Sequence, residues 1–132
     1  MERLMGSLKS KMVILAVMLV LGIAGATASY GAQPKLSRVL YLTLSQACGC
    51  ILDRCKAGDW VVEKVFVGER QGLLKRIDYS TDKDTARQYI KKYRITLPPA
   101  LIFLDAQGGE LWRAMGDVDY DLVLEKLKQF GA

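Results

Sequence analysis

The sequence predicts an α/β fold, with a central mixed sheet of about four strands flanked by helices. Three observations carry that expectation. Apolar patterns alternate between strand and helix spacing in the order strand, helix, strand, helix, strand, strand, helix. The segment Ala100–Leu104 is apolar without interruption, as a strand covered on both faces should be. A run of turn residues, Asp105-Ala106-Gln107-Gly108-Gly109, follows it directly. Glu110 to Met115 should therefore return as a hairpin partner.

The chain has 132 residues, which suits one domain. Residues 1–11 are basic, through Arg3, Lys9 and Lys11. From Met12 to Ala24 every residue is apolar or glycine, and Ala24-Gly25-Ala26 and Ala26-Thr27-Ala28 both fit A-x-A. This pattern predicts a secretory signal peptide over residues 1–28, with an uncleaved membrane anchor as the alternative. Either reading exports the domain to a periplasmic or other extracytoplasmic side, released or tethered. No cysteine stands at the cleavage position to accept a lipid. Residues 29–35 read as a linker and residues 36–132 as the folded domain.

Within that domain Val39–Leu44 reads as the first strand, buried and rich in β-formers. A helix should begin near Cys48, with Ile51, Cys55, Val62 and Phe66 recurring near helical spacing. Gly58-Asp59 is expected to kink or split it, with Asp59 capping the second half. Leu73–Tyr79 is the second strand. Ser80-Thr81-Asp82 offers a cap for a helix whose face is Ala86, Tyr89, Ile90 and Tyr93. Pro98-Pro99 is expected to halt that segment before the buried strand and its hairpin. Gly116-Asp117 should end the last strand and open a final helix with a stripe of Tyr120, Val123, Leu124, Leu127 and Phe130. The first two strands must be parallel, because a helix separates them.

Composition removes several function classes. Hydrophobic residues make up 51% and charged residues 25%, which fits neither a disordered nor a multi-span chain. There is no histidine. Ser-His-Asp and Cys-His catalysis, histidine metal ligands and C-x-x-C-H haem attachment are therefore excluded. No glycine-rich phosphate loop is present. The net charge is +5, part of it in residues 1–28, and the remaining basic residues are interspersed with acids. The densest basic cluster, Lys91-Lys92-Tyr93-Arg94, reads as a solvated helix face rather than a nucleic-acid surface. Trp60 and Trp112 read as packing residues.

Three cysteines remain as the chemistry-bearing group: Cys48, Cys50 and Cys55. A thiolate at a helix N-terminus is favoured by the helix dipole and by unpaired backbone N–H groups, and Cys48 is best placed for that. A Cys48–Cys50 disulfide would close a small, strained ring and requires Cys48 to lie outside regular helix. Cys55 lies seven residues beyond Cys48, about 10 Å along a continuous helix, so pairing it needs an unwound first turn. On the apolar helix face with Ile51 and Phe66 it reads as a packed core residue, with a reactive role as the alternative. The alternative chemistry is a soft-metal site of Cys48, Cys50 and Cys55. No organic cofactor is implied.

Element order and three local features resemble the thioredoxin fold family. Cys48-Gly49-Cys50 sits where the first strand gives way to a helix, as the family's active site does. Pro99 directly precedes the buried strand, where thioredoxins carry a cis-proline. Gly116 lies between hairpin and last helix, as a family glycine does. The resemblance spans about residues 36–130. It implies thiol–disulfide exchange with a disulfide- or thiol-bearing partner protein. Cys48 would attack, Cys50 would resolve with Cys55 as a substitute, and Pro98 and Pro99 would line the substrate groove. A redox-inactive interaction domain on the same fold is the other possibility. The departures are specific: C-x-C replaces C-x-x-C, Ala47 stands where an aromatic is usual, and the family's buried acid falls at Leu42.

Overall fold

The first strand, β1, runs Arg38–Thr43, and helix α1 runs Gly49–Val65. A short 3-10 helix, Gly68–Leu73, then leads into β2, Leu74–Asp78. Helix α2 is Lys83–Tyr93, strand β3 is Ala100–Leu104, strand β4 is Glu110–Met115 and helix α3 is Tyr120–Gln129. These come from a computed structural model that describes residues 31–132. The expected signal segment at 1–28 lies outside the described residues. Gln33 to Ala132 form one compact unit. Among the described residues no helix is long and apolar enough to cross a membrane.

The four strands make one mixed sheet in the order β2-β1-β3-β4. β1 and β2 are parallel, joined through α1, and the other two pairings are antiparallel. Alternation along β1 sends its side chains to two cores. Val39 and Tyr41 pack with Val61, Val62 and Val65 of α1 and with Val123 and Leu127 of α3. Leu40 and Leu42 pack on the other face with Ile77, Ala86, Tyr93 and Ile102. Every residue of β3 is buried, because both layers cover it.

Several expected boundaries move. The helix expected to break at Gly58-Asp59 is continuous, because Gly58 is buried where the helix presses on the sheet. A Cβ at Gly58 would stand 2.7 Å from the Tyr41 hydroxyl and 2.9 Å from Pro99 Cγ, so glycine there permits close packing rather than a kink. Asp59 is accordingly not a cap. Helix α2 ends at Arg94, a left-handed residue (φ 51°), well before Pro98-Pro99. Helix α3 is capped by Asp119, which accepts from Leu122 N at 2.8 Å, so it begins later than Gly116-Asp117. Trp60 is 54% exposed and lies against Tyr120 rather than in the core. Trp112 does pack, edge-on to Phe103 at 5.1 Å between ring centres.

Candidate active site

The sheet delivers Cys48 and Cys50 to one end of β1. After Thr43 the chain crosses Leu44–Ala47 without regular structure and enters α1 with Cys48 at the N-cap. Cys48 is extended (φ −63°, ψ 154°), as a cysteine leading into a helix must be. Its carbonyl accepts from Ile51 N at 3.1 Å and Leu52 N at 3.0 Å. Cys50 lies in the first turn. Both thiols are exposed and free, with their sulfurs 3.9 Å apart. The first turn of α1 holds no acidic residue that would oppose a thiolate there.

Cys55 is elsewhere. It is fully buried and free, and the helix between it and Cys48 is unbroken. The structure therefore does not gather the three sulfurs expected for a soft-metal site. Among the described residues no group of three or more His, Cys, Asp or Glu could hold a metal ion.

The Pro98–Pro99 peptide is cis. Pro99 is buried with its ring against Gly58, and its carbonyl accepts from Gly116 N at 2.8 Å. Pro98 is half-buried. With Leu42, Leu44, Tyr79, Ile90 and Leu97 it lines an apolar hollow of about 210 Å³.

Beneath α1 lies a polar group that the sequence reading missed. Asp59 Oδ1 accepts from the Tyr41 hydroxyl at 2.7 Å and from Thr43 Oγ1 at 2.9 Å. Its other oxygen pairs with Arg76 at 3.0 Å. The Tyr41 hydroxyl also lies 3.3 Å from the Cys55 carbonyl. Leu42, the leucine at the position where the resembled family carries a buried acid, faces the opposite core. Tyr41 and Thr43 face α1 instead, and the helix itself supplies the carboxylate. One signal could have located it: Asp59 falls four residues after Cys55 and interrupts the apolar stripe.

Burial, and then the hydrogen bond to Asp59, raise the Tyr41 phenol far above its ordinary value near 10. Folded Tyr41 thus keeps its proton where an unfolded tyrosine loses it. Its contribution to stability is whole below the ordinary value and is lost as pH rises above it. Thermal melts from mildly to strongly alkaline pH should show a falling melting temperature, with a shallower fall in Tyr41→Phe. Equal slopes would contradict that assignment.

By sequence, the chain matches no protein-family model and no curated protein. By structure it is similar to the reduced C-terminal domain of DsbD from Neisseria meningitidis, with a TM-score of 0.50 and 19% identity. That match covers 74% of this chain and 84% of the other. Thioredoxin O1 from Arabidopsis thaliana, in its oxidized state, gives a TM-score of 0.51 at 19% identity, over 74% and 80% of the two chains. The Malassezia sympodialis thioredoxin Mala s 13 gives 0.51 at 16% identity, over 75% and 82%. Such identities establish architecture alone. Parallel β1 and β2, the antiparallel β3–β4 hairpin and the helices on both faces therefore make this a thioredoxin-like α/β fold.

Proposed function

We propose that this protein exchanges disulfides with partner proteins through Cys48 and Cys50. The observation that carries the reading is the exposed thiol pair, 3.9 Å apart at the N-terminus of α1. In the reducing direction the Cys48 thiolate attacks a partner disulfide, and one partner sulfur leaves as a thiolate. The Cys50 thiolate then attacks the mixed disulfide at Cys48 and releases the second partner sulfur. The partner disulfide gains two electrons and two protons, and the chain is left with a Cys48–Cys50 disulfide. The oxidising direction is the reverse. Pro98 lines the apolar hollow beside the surface where an extended partner segment lies, and cis Pro99 sits behind it against Gly58. The N-terminal segment carries the domain out of the cytoplasm, by cleavage or as a tether, to a compartment where disulfides persist.

The test is a count of alkylatable thiols on the purified chain across a glutathione redox series. The expected result is that two thiols disappear together between about −270 and −120 mV. Peptide mapping should place them at Cys48 and Cys50, with Cys55 still free. A pair that stays reduced throughout overturns the reading. A bridge that resists reduction below about −300 mV overturns it too, as a structural disulfide does.

A further inference from the structure

We propose that Asp78 and Ser80 are positioning residues for Cys48, holding the Ser45–Ala47 loop so that the thiol is presented at the N-cap of α1. The proposal deepens the exchange function and rests on Cys48 being the attacking thiol.

Four hydrogen bonds make the latch. Asp78 Oδ1, at the end of β2, accepts from Ser45 N at 3.1 Å and from Ser80 N at 2.8 Å. The Ser80 hydroxyl accepts from Gln46 N at 2.9 Å and donates to Gln46 O at 3.2 Å. One hydroxyl therefore takes both backbone polar groups of Gln46. Tyr79 N adds a bond to Thr43 O at 3.0 Å, extending the β1–β2 ladder to the start of the loop. Only Ala47 separates the latched segment from Cys48.

The loop needs such a device. Ser45 and Gln46 are exposed and outside regular structure, so little packing holds them. The bonds come from residues more than thirty positions away in sequence, so they fix the loop against the sheet rather than to itself. Burial raises the Asp78 carboxyl, but hydrogen bonds from Ser45 and Ser80 outweigh it and hold the group below its ordinary value. Asp78 is thus a charged acceptor at neutral pH, and charge-assisted bonds are the stronger kind.

What the latch secures is geometric. A helix N-terminus favours a thiolate only within its first turn. The Cys48 carbonyl is held by Ile51 N and Leu52 N, so a loop free to swing turns the Cys48 thiol away from that turn, while Cys50 stays because it belongs to the helix. A latch and a simple charge effect then predict opposite signs. Removing the Asp78 carboxylate removes a negative charge, which by itself would favour a thiolate nearby. Removing its acceptor releases the loop, which disfavours one.

The three cysteines make the test self-controlled. Site-resolved alkylation rates would be measured on the fully reduced chain at neutral pH with iodoacetamide. In Asp78→Ala and in Ser80→Ala, Cys48 should slow by about fivefold while Cys50 stays within about twofold of the parent. Cys55 should remain protected. Asp78→Asn keeps an acceptor for Ser45 N and loses the charge, so Cys48 should react at the parent rate or faster. Unchanged Cys48 rates in both alanine variants overturn the proposal, as does equal slowing of Cys48 and Cys50. If Asp78→Ala opens the fold, Cys55 reports it by reacting, and Ser80→Ala then decides. Alkylation needs neither a partner nor a disulfide, so a failure here is distinct from a failure of the redox titration.

Discussion

Serine at position 48 is expected to abolish disulfide exchange with any protein disulfide. The hydroxyl does not ionise in the range where a thiol does, and it cannot form the mixed disulfide. The neighbouring changes should differ in kind. Cys50→Ser leaves the attacking thiol in place and removes the resolving one, so the mixed disulfide with the partner should accumulate. Cys55→Ser should leave exchange intact, because that thiol is fully buried on an unbroken helix. It should cost stability instead, about 1–3 kcal/mol if the new hydroxyl finds no partner. Non-reducing gels with a disulfide-bearing protein would separate the three cases. A mixed disulfide formed by Cys48→Ser would show that Cys50 is the attacking group. Release of partner at the parent rate by Cys50→Ser would show that Cys55 can reach the first turn.

Much of this architecture is legible in the residues, and the reason is periodicity. Ala100–Leu104 reads as a doubly covered strand, and all of it is buried between two cores. Ser80-Thr81-Asp82 offers a helix cap, and it is Asp82 whose side chain accepts from Thr85 N at 3.2 Å. The Cys48–Cys50 pair at a helix start is equally local, since an N-cap lies outside the helix by definition. What was hidden depends on contacts distant in sequence. Gly58 reads as a breaker until β1 and Pro99 are brought against it. Counting back from Cys48 puts the family's acid position at Leu42, which has no carboxylate, whereas strand alternation in the folded sheet turns Tyr41 and Thr43 toward α1. The latch at Ser45 and Gln46 joins segments that no local pattern connects.

Asp59→Ala should produce a large loss of stability, although the residue lies outside the apolar core. Among the described residues the carboxylate is the one acceptor for Thr43 Oγ1, and Thr43 is 1% exposed. It also takes the shorter bond from the Tyr41 hydroxyl, whose other hydrogen bond among the described residues is to the Cys55 carbonyl at 3.3 Å. Hydrogen bonds to charged groups contribute about 1.5–3 kcal/mol each, and a buried hydroxyl left unpaired costs about 1–3 kcal/mol. The pair to Arg76 adds little, because the guanidinium side chain is 40% exposed and water can replace the carboxylate. A net loss of about 3 kcal/mol follows, a large fraction of an ordinary domain's stability. In a domain of this size that lowers the melting temperature by about 12–24 °C. Asp59→Asn keeps an oxygen facing both hydroxyls and should fall between alanine and the parent. Asp53→Ala, on the exposed face of the same helix, should stay within about 0.5 kcal/mol of the parent. Thermal melts of the three variants decide the matter. If Asp59→Ala melts with Asp53→Ala, the carboxylate is a surface charge that merely lies near the sheet. If it melts far below, one acid ties the thiol-bearing helix to both parallel strands, and the position of Cys48 and Cys50 beyond the end of β1 depends on it.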